Sequence, residues 1–340
     1  MFSAQTDLKN AQKVKEFLVK KNLLNSDYNL IKEFNFIYFP ITKKVNVPHA
    51  KIINTKFSFP KKTHEPTIEE LLKNQLTKAE LKIIPKSQEV IGTILLLEIP
   101  EELQPKEKLI AEAYLKLHKG IQTVVKKADA HTGEFRTRKV QILAGKPTAE
   151  TTHLENKVKI KLNIEQVYFS ARSAHERLRI TQQIKTPEKV LVMFSGAAPY
   201  PLVIAKNSPA KIIYGIEINP IGHVYGLQNV TLNHLHHKIK LYEGDVRTIL
   251  PTIKESFDRI IIPLPKTGEE FLDLAFTKAH KNTIIHLYAF LEESQINAYA
   301  KYVQDISKQF NHKIKILRKI KCGQFSPSIF RVCLDIKTEK

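Results

Sequence analysis

VLVMFSGAAPYPLVIAKN, Val190–Asn207, sets the reading of the chain. A short apolar run ends in small residues, and a segment of helical period follows. This is the pattern of a buried strand, a tight turn and a covering helix. The same rhythm continues downstream through strand-like KIIYGIEI (Lys211–Ile218), IKLYEG (Ile239–Gly244), RIIIPLP (Arg259–Pro265) and NTIIHLYAF (Asn282–Phe290). The helix-period segments IGHVYGLQNVTLNHL, EEFLDLAFTKAH and ESQINAYAKYVQDISKQF separate them. Strands alternating with helices predict a parallel sheet covered on both faces. Two last strands, KIKILRKIK and SIFRVCLDI, have no crossover helix between them and are expected to pair antiparallel.

The expected fold class is therefore α/β: a Rossmann-like parallel sheet closed by an antiparallel C-terminal hairpin. That is the arrangement of a class I methyltransferase domain, where a dehydrogenase would supply further crossovers. Upstream, two smaller α+β domains are expected. The first spans residues 1–65, with a helix over Ala11–Lys20 and alternating apolar residues in FNFIYFPI. The polar stretch FPKKTHEPT, Phe59–Thr67, is the linker candidate. The second spans 68–160 and the methyltransferase-like domain 161–340.

Composition narrows the partner. The chain has 340 residues, with 54 Lys+Arg against 34 Asp+Glu and a net charge of +20. A polyanion is the expected partner, and a solvated lysine-rich surface is the alternative. Two cysteines without metal-ligand spacing give no disulfide framework and no structural zinc, and the histidines show no ligand spacing. No apolar run is long enough for a membrane span, and the amino terminus is polar and helical in period. A soluble, cytoplasmic protein is expected.

The ends of the predicted strands carry the candidate ligand contacts. Phe194 and Gly196 lie in the small-residue turn after the first strand, which lets backbone amides approach a ligand. Glu217, 22 residues after Ser195, ends the second strand beside Ile218. An acid there accepts hydrogen bonds from both ribose hydroxyls of an adenosine. Asp245 and Val246 follow the third strand, where an acid can take the adenine amino group and an apolar side chain can pack on the ring. Together these spacings point to an adenosyl cofactor.

EFRTRKVQILAG (Glu134–Gly145), ETTHLENKVKIKL (Glu150–Leu162), VYFSARSAHERLRI (Val167–Ile180), IEINP, GDVR, PLPKTGEEFLD (Pro263–Asp273) and SPSIFRVCLDI extend the pattern across the chain. In these residues the chain resembles the archaeal and eukaryotic tRNA (guanine-37) N1-methyltransferases, which use S-adenosylmethionine. The resemblance implies Glu176 as the general base and Arg136 as the donor that stabilises charge on the guanine carbonyl oxygen. On residue type alone an interdomain salt bridge or a solvated pair is the favoured reading of the two, and the motif context reverses it. Tyr168, Arg177 and Phe194 match cofactor positions, though Tyr168 and Phe194 are also ordinary core aromatics. Arg172 and Arg179 are phosphate contacts or surface charges.

The resemblance also implies an anticodon-loop substrate, a first domain that contacts the tRNA elbow, no metal, and a monomer. Four features depart from the family pattern, one of them the Glu269-Glu270 pair where His-Glu is usual. Pro263 stands where Asn is usual in the Asn-Leu-Pro turn, so the substrate-side residues are Pro263, Leu264 and Pro265. Val192 replaces an Asp, and Ala198 replaces a glycine. Proline at this turn is associated with an archaeal bifunctional branch that also methylates a carbon of the tricyclic wyosine precursor 4-demethylwyosine. Two alternatives stand beside this: an aminocarboxypropyl transferase of wyosine biosynthesis, and a non-enzymatic RNA-binding protein with a relic cofactor fold.

Overall fold

The structure is a computed structural model that describes residues 1–62, 66–86, 88–128 and 133–339. Positions 63–65 of the linker candidate lie outside the described residues. The chain forms two units, Met1–Thr67 and Ile68–Lys340.

In the first unit β1 (Phe2–Asp7) is followed by α1 (Ala11–Lys20), β2 (Ile31–Glu33), β3 (Phe36–Pro40) and β4 (Lys51–Asn54). The strands pair antiparallel in the order β2-β3-β1-β4. Val14 and Leu18 stand four residues apart and so share one face of α1. That face is buried with Ala4, Phe39, Ile41 and Val47.

The second unit begins with α2 (Ile68–Leu72), α3 (Lys78–Lys82), β5 (Gln88–Ile91), β6 (Ile94–Leu97), α4 (Glu107–Leu117), β7 (Thr123–Lys127) and β8 (Val140–Gly145). Thr77 and Glu80 close a capping box on α3. Strands β5 to β8 form a four-stranded sheet in chain order. The hairpin β9 (Glu150–Glu155) and β10 (Val158–Asn163) comes next.

Residues 68–160 and 161–340, separate in the sequence reading, fall within this one unit. Strand β6 shows why: all four of its residues are buried. Leu95 and Leu97 point into a core with Ile110 and Tyr114 of α4. Ile94 and Leu96, on the opposite face, join Val158, Ile160, Val190 and Val203. Period-two alternation thus divides one strand between two cores.

The remaining elements are α5 (Ala174–Gln183), β11 (Lys189–Val192), α6 (Pro199–Asn207), β12 (Ile212–Glu217), α7 (Pro220–Leu232), β13 (Ile239–Glu243), α8 (Val246–Thr252), β14 (Phe257–Ile262), α9 (Leu272–Thr277), β15 (Ala279–Glu292), α10 (Ile296–Gln309), β16 (Ile314–Gln324) and β17 (Ile329–Thr338). A seven-stranded sheet runs β13-β12-β11-β14-β15-β17-β16. Its first five strands are parallel, and β17 pairs antiparallel with β15 and β16. The expected parallel sheet with a closing hairpin is therefore present.

Val190 and Val192 face one apolar layer while Leu191 and Met193 face the other. This explains the unbroken apolar run that opened the sequence reading. Val192, in place of an acid, is fully buried. Strand order reverses between β11 and β14, so their carboxyl ends open a crevice there. No helix among the described residues is long and apolar enough to cross a membrane.

Candidate active site

A cavity lies in that crevice, within the second unit. Phe194 and Gly196 after β11, Glu217 and Ile218 at the end of β12, and Pro263, Leu264 and Pro265 after β14 all line it. Arg136, Tyr168 and Arg177 complete the part of the wall foreseen in the sequence. Residues far apart in the chain meet there because the parallel strands deliver their ends to one edge.

The β11 turn is built on left-handed backbone. Gly196 has φ +55°, and a Cβ added to it would meet nothing closer than the Tyr168 carbonyl oxygen at 3.7 Å. Its amide donates to Glu217 Oε2 at 2.6 Å. Asn219 N donates to Glu217 Oε1 at 2.9 Å. Each carboxylate oxygen keeps a further lone pair for a ligand. Burial pushes the Glu217 carboxyl above the ordinary range, against the pull of these two amides. Ala198 also sits in the left-handed region, at φ +65°, which is the physical reason a glycine suits that position.

The end of β14 forms a turn in which Leu264 N donates to Ile262 O at 2.9 Å, with Pro263 at its centre. A fixed negative φ and no N–H suit proline to this three-residue turn. The Pro265 carbonyl accepts from Phe290 N at 3.0 Å, tying the turn to β15.

Arg136 is half-buried at φ +50°, a strained conformation for a long side chain. Burial lowers its pKa, and the neighbouring Tyr168 works in the opposite direction. Arg177 is 3% exposed and makes a two-pronged ion pair with Glu155, so it clamps α5 to the β9–β10 hairpin as well as lining the cavity.

Glu176 is 4% exposed and does not appear in the cavity wall. Arg179 holds both its oxygens, Nε to Oε2 at 2.7 Å and Nη2 to Oε1 at 2.8 Å. Tyr288 Oη donates to Glu176 Oε1 at 2.6 Å. Arg136 and Glu176 form no ion pair with each other; the Glu176 carboxylate is held by Arg179 and Tyr288. Arg179 is not a free surface charge, because it also donates to Asp335 at 2.7 and 3.1 Å. Burial works against its charge, and the two carboxylates outweigh burial and raise its pKa.

The network continues. His286 Nδ1 lies 2.7 Å from Asp335 and His286 Nε2 lies 2.7 Å from Arg259 Nη1. Arginine can only donate, so Nε2 is the acceptor and Nδ1 carries the proton. Arg259 ends the chain on Glu188 at 2.7 and 3.1 Å. His286, Cys333 and Asp335 bring metal-type donors within 4.8 Å of one another. Arg179 and Arg259 already hold the cationic positions beside them.

Asp245, Val246 and Arg172 are not in the cavity wall. Asp245 caps α8 by accepting from Arg247 N at 2.8 Å. Val246 is buried in the core. Arg172 is exposed in the turn before α5. The wall also contains Tyr200, Tyr288, Ser173 and Arg331, which the sequence reading did not single out. Arg331 Nη1 donates to Ser173 Oγ at 2.5 Å, and its buried Nε has no hydrogen-bond partner.

Comparison with known proteins matches residues 151–317 to the TRM5/TYW2 methyltransferase domain, 68–148 to the TYW2 N-terminal domain and 5–49 to the tRNA methyltransferase 5 N-terminal domain. A tRNA (guanine(37)-N(1))-methyltransferase Trm5b of Methanocaldococcus jannaschii is 31% identical, covering 98% of this chain and 97% of its own. A tRNA(Phe) (4-demethylwyosine(37)-C(7)) aminocarboxypropyltransferase of Pyrococcus horikoshii is 30% identical over 81% of this chain and 98% of its own. A tRNA (guanine(37)-N(1))/4-demethylwyosine(37)-methyltransferase Taw22 of Nanoarchaeum equitans is 33% identical over 66% and 90%.

Among solved structures, Trm5b from Pyrococcus abyssi superposes with a TM-score of 0.75 at 28% identity, covering both chains fully. The complex of aTrm5 and tRNALeu gives 0.69 at 26% identity, covering 99% of each chain. Methanocaldococcus jannaschii Trm5 in complex with adenosine gives 0.65 at 26% identity, covering both chains fully.

Proposed function

This chain belongs to the archaeal Trm5 family of tRNA (guanine(37)-N(1))-methyltransferases, and on that premise we propose how its cavity serves the transfer. It is an S-adenosylmethionine-dependent methyltransferase. The observation that carries the reading is a cavity at the carboxyl ends of the parallel strands that brings together Glu217, Gly196, the Pro263–Pro265 turn and Arg136.

The residues fit the cofactor. Glu217 offers spare lone pairs for the ribose hydroxyls, and Gly196 leaves room for close backbone approach. When bound, S-adenosylmethionine supplies a methyl group on a positively charged sulfur. The guanine N1 carries a proton and is a poor nucleophile until that proton leaves. Arg136 stabilises the negative charge that moves onto the neighbouring carbonyl oxygen, and Glu176 receives the proton. Tyr168 and Phe194 would help hold the cofactor, and the proline turn would bound the space for the target base. Phosphate attraction by the net charge of +20 brings in the tRNA, whose loop bases can turn outward. The first unit contacts the tRNA elbow, a reading supported by the match of residues 5–49 to the tRNA methyltransferase 5 N-terminal domain.

Pro263 removes the amide side chain usual at this turn and leaves space for a larger base. We place the chain in the bifunctional branch on that ground, with support from the likeness to the Nanoarchaeum equitans relative. The aminocarboxypropyl reading draws on the match of residues 68–148. Against it stands the first unit, since the Pyrococcus horikoshii relative is covered almost completely by 81% of this chain.

The test is incubation with labelled cofactor and two tRNA transcripts, one with guanosine at position 37 and one carrying the tricyclic precursor. Methylated nucleosides from both support the bifunctional reading. Methylated guanosine alone restricts the function to N1 and makes Pro263 a tolerated variant. An aminocarboxypropyl adduct, identified by mass, overturns the methyl-transfer reading.

A further inference from the structure

The base assigned above is shut away from the cavity by an aromatic side chain. Tyr288 lines the cavity while Glu176 does not, and the Tyr288 hydroxyl donates to Glu176 Oε1 at 2.6 Å. Tyr200, another cavity residue, donates to the Tyr288 oxygen at 2.9 Å. We propose that Tyr288 is a catalytic relay: its oxygen takes the N1 proton of the target base as its own hydroxyl proton passes to Glu176. The proposal rests on the reading of Glu176 as the terminal base.

The step balances. The N1–H bond breaks with its electron pair left on N1, and a new O–H bond forms on Tyr288. The original Tyr288 O–H bond breaks in the same event, and an O–H bond forms on Glu176 Oε1. Tyrosine is regenerated and Glu176 becomes neutral.

Two further observations support it. The buried network behind Tyr288 holds three carboxylates, Glu176, Asp335 and Glu188, against the two guanidiniums of Arg179 and Arg259. Burial lowers the pKa of His286, which is neutral and donates through Nδ1. Three carboxylates thus share this network with two guanidiniums, and the Glu176 carboxylate stands at its end nearest the cavity.

Tyr288 is also set to pass protons without ionising. It is faced by Glu176 from α5, Tyr200 from α6, Cys322 from β16 and Cys333 from β17, with Arg331 of β17 as the nearby cation. Burial, and then these neighbours, push its pKa well above the ordinary value. A neutral tyrosine that donates on one side and accepts on the other needs no tyrosinate intermediate.

The experiment uses the full chain, labelled S-adenosylmethionine and a tRNA transcript with guanosine at position 37, in single turnover. Tyr288→Phe is expected to slow methyl transfer by about 10²- to 10⁴-fold. Its affinities for cofactor and tRNA, from titration, are expected to stay within about threefold. In mixtures of light and heavy water the unaltered enzyme is expected to show a curved dependence of rate on deuterium fraction, because two protons move together. Tyr288→Phe within about threefold of the unaltered rate, with Glu176→Gln inactive, overturns the relay and leaves the base in place. Near-normal rates in both variants overturn the base and the relay together. If Tyr288→Phe fails to bind cofactor, the deuterium dependence decides by itself, a straight line overturning the relay.

Discussion

Replacing Arg179 with methionine probes the buried network most deeply. Arg179 makes two hydrogen bonds to Glu176 and two to Asp335, whose side chains are 3% and 1% exposed. Removing one partner of a buried ion pair costs about 3–5 kcal/mol, because a charge is left uncompensated. The Arg179 side chain is 23% exposed, so water partly screens the pair and the lower end, ~3 kcal/mol, applies. For a unit of this size that is a fall of about 5 °C in melting temperature.

The loss must depend on pH. Burial raises the Asp335 pKa, but His286 and Arg179 outweigh it and hold the carboxyl well below its ordinary range. The stability this contributes is fully present above the unfolded aspartate pKa of about 4 and is lost as pH falls through the lower folded value. Without Arg179 that contribution shrinks, so the gap between the two proteins is widest near pH 7 and closes on acidification below about pH 4. Thermal unfolding followed by circular dichroism from pH 3 to pH 8 measures it. A gap under about 1 kcal/mol at pH 7, or one that stays constant across the range, refutes the reasoning.

Other outcomes follow from the cavity and the charge. Glu217→Gln is expected to weaken S-adenosylmethionine binding by about 1.5–3 kcal/mol, since the hydrogen bonds it would make are to a charged group; isothermal titration reads this. Burial holds the Glu217 pKa above the ordinary range, so cofactor affinity of the unaltered protein declines on acidification earlier than for an ordinary carboxylate, and the variant's profile is flatter over that window. Gly196→Ala meets no clash but places a Cβ at φ +55°, costing about 1–2 kcal/mol of stability, measured by urea unfolding. Binding of tRNA is expected to fall steeply between 50 and 200 mM salt, about 10³-fold if some six phosphates are contacted, measured by filter binding.

The sequence made the βα series legible because each strand is an apolar run and each helix has its own period. VLVMF, KIIYGIEI and RIIIPLP became β11, β12 and β14, within a residue or two at the start. Strand ends were legible for the same reason, so Gly196, Glu217 and Pro263 could be placed at one edge before the structure was known. The partners of Glu176 were not. Arg179 lies three residues away, but Asp335 and Tyr288 reach the network from β17 and β15, and no local spacing announces them. Asp245 carries a second role that its place after a strand did not single out: its Oδ1 caps α8, as an acid there also suits a helix N-cap. That β6 serves two cores was not legible either, because it reads as one apolar run whether it packs on one face or on both.

A crystal structure of the complex with S-adenosylhomocysteine tests the central claim most directly. The account predicts the ribose hydroxyls on the Glu217 carboxylate, the nucleoside beside Gly196 and Ile218, and the sulfur directed toward the Pro263–Pro265 turn and Arg136. A ligand bound away from the carboxyl ends of β11, β12 and β14, with Glu217 still bonded to the Gly196 and Asn219 amides alone, would contradict it.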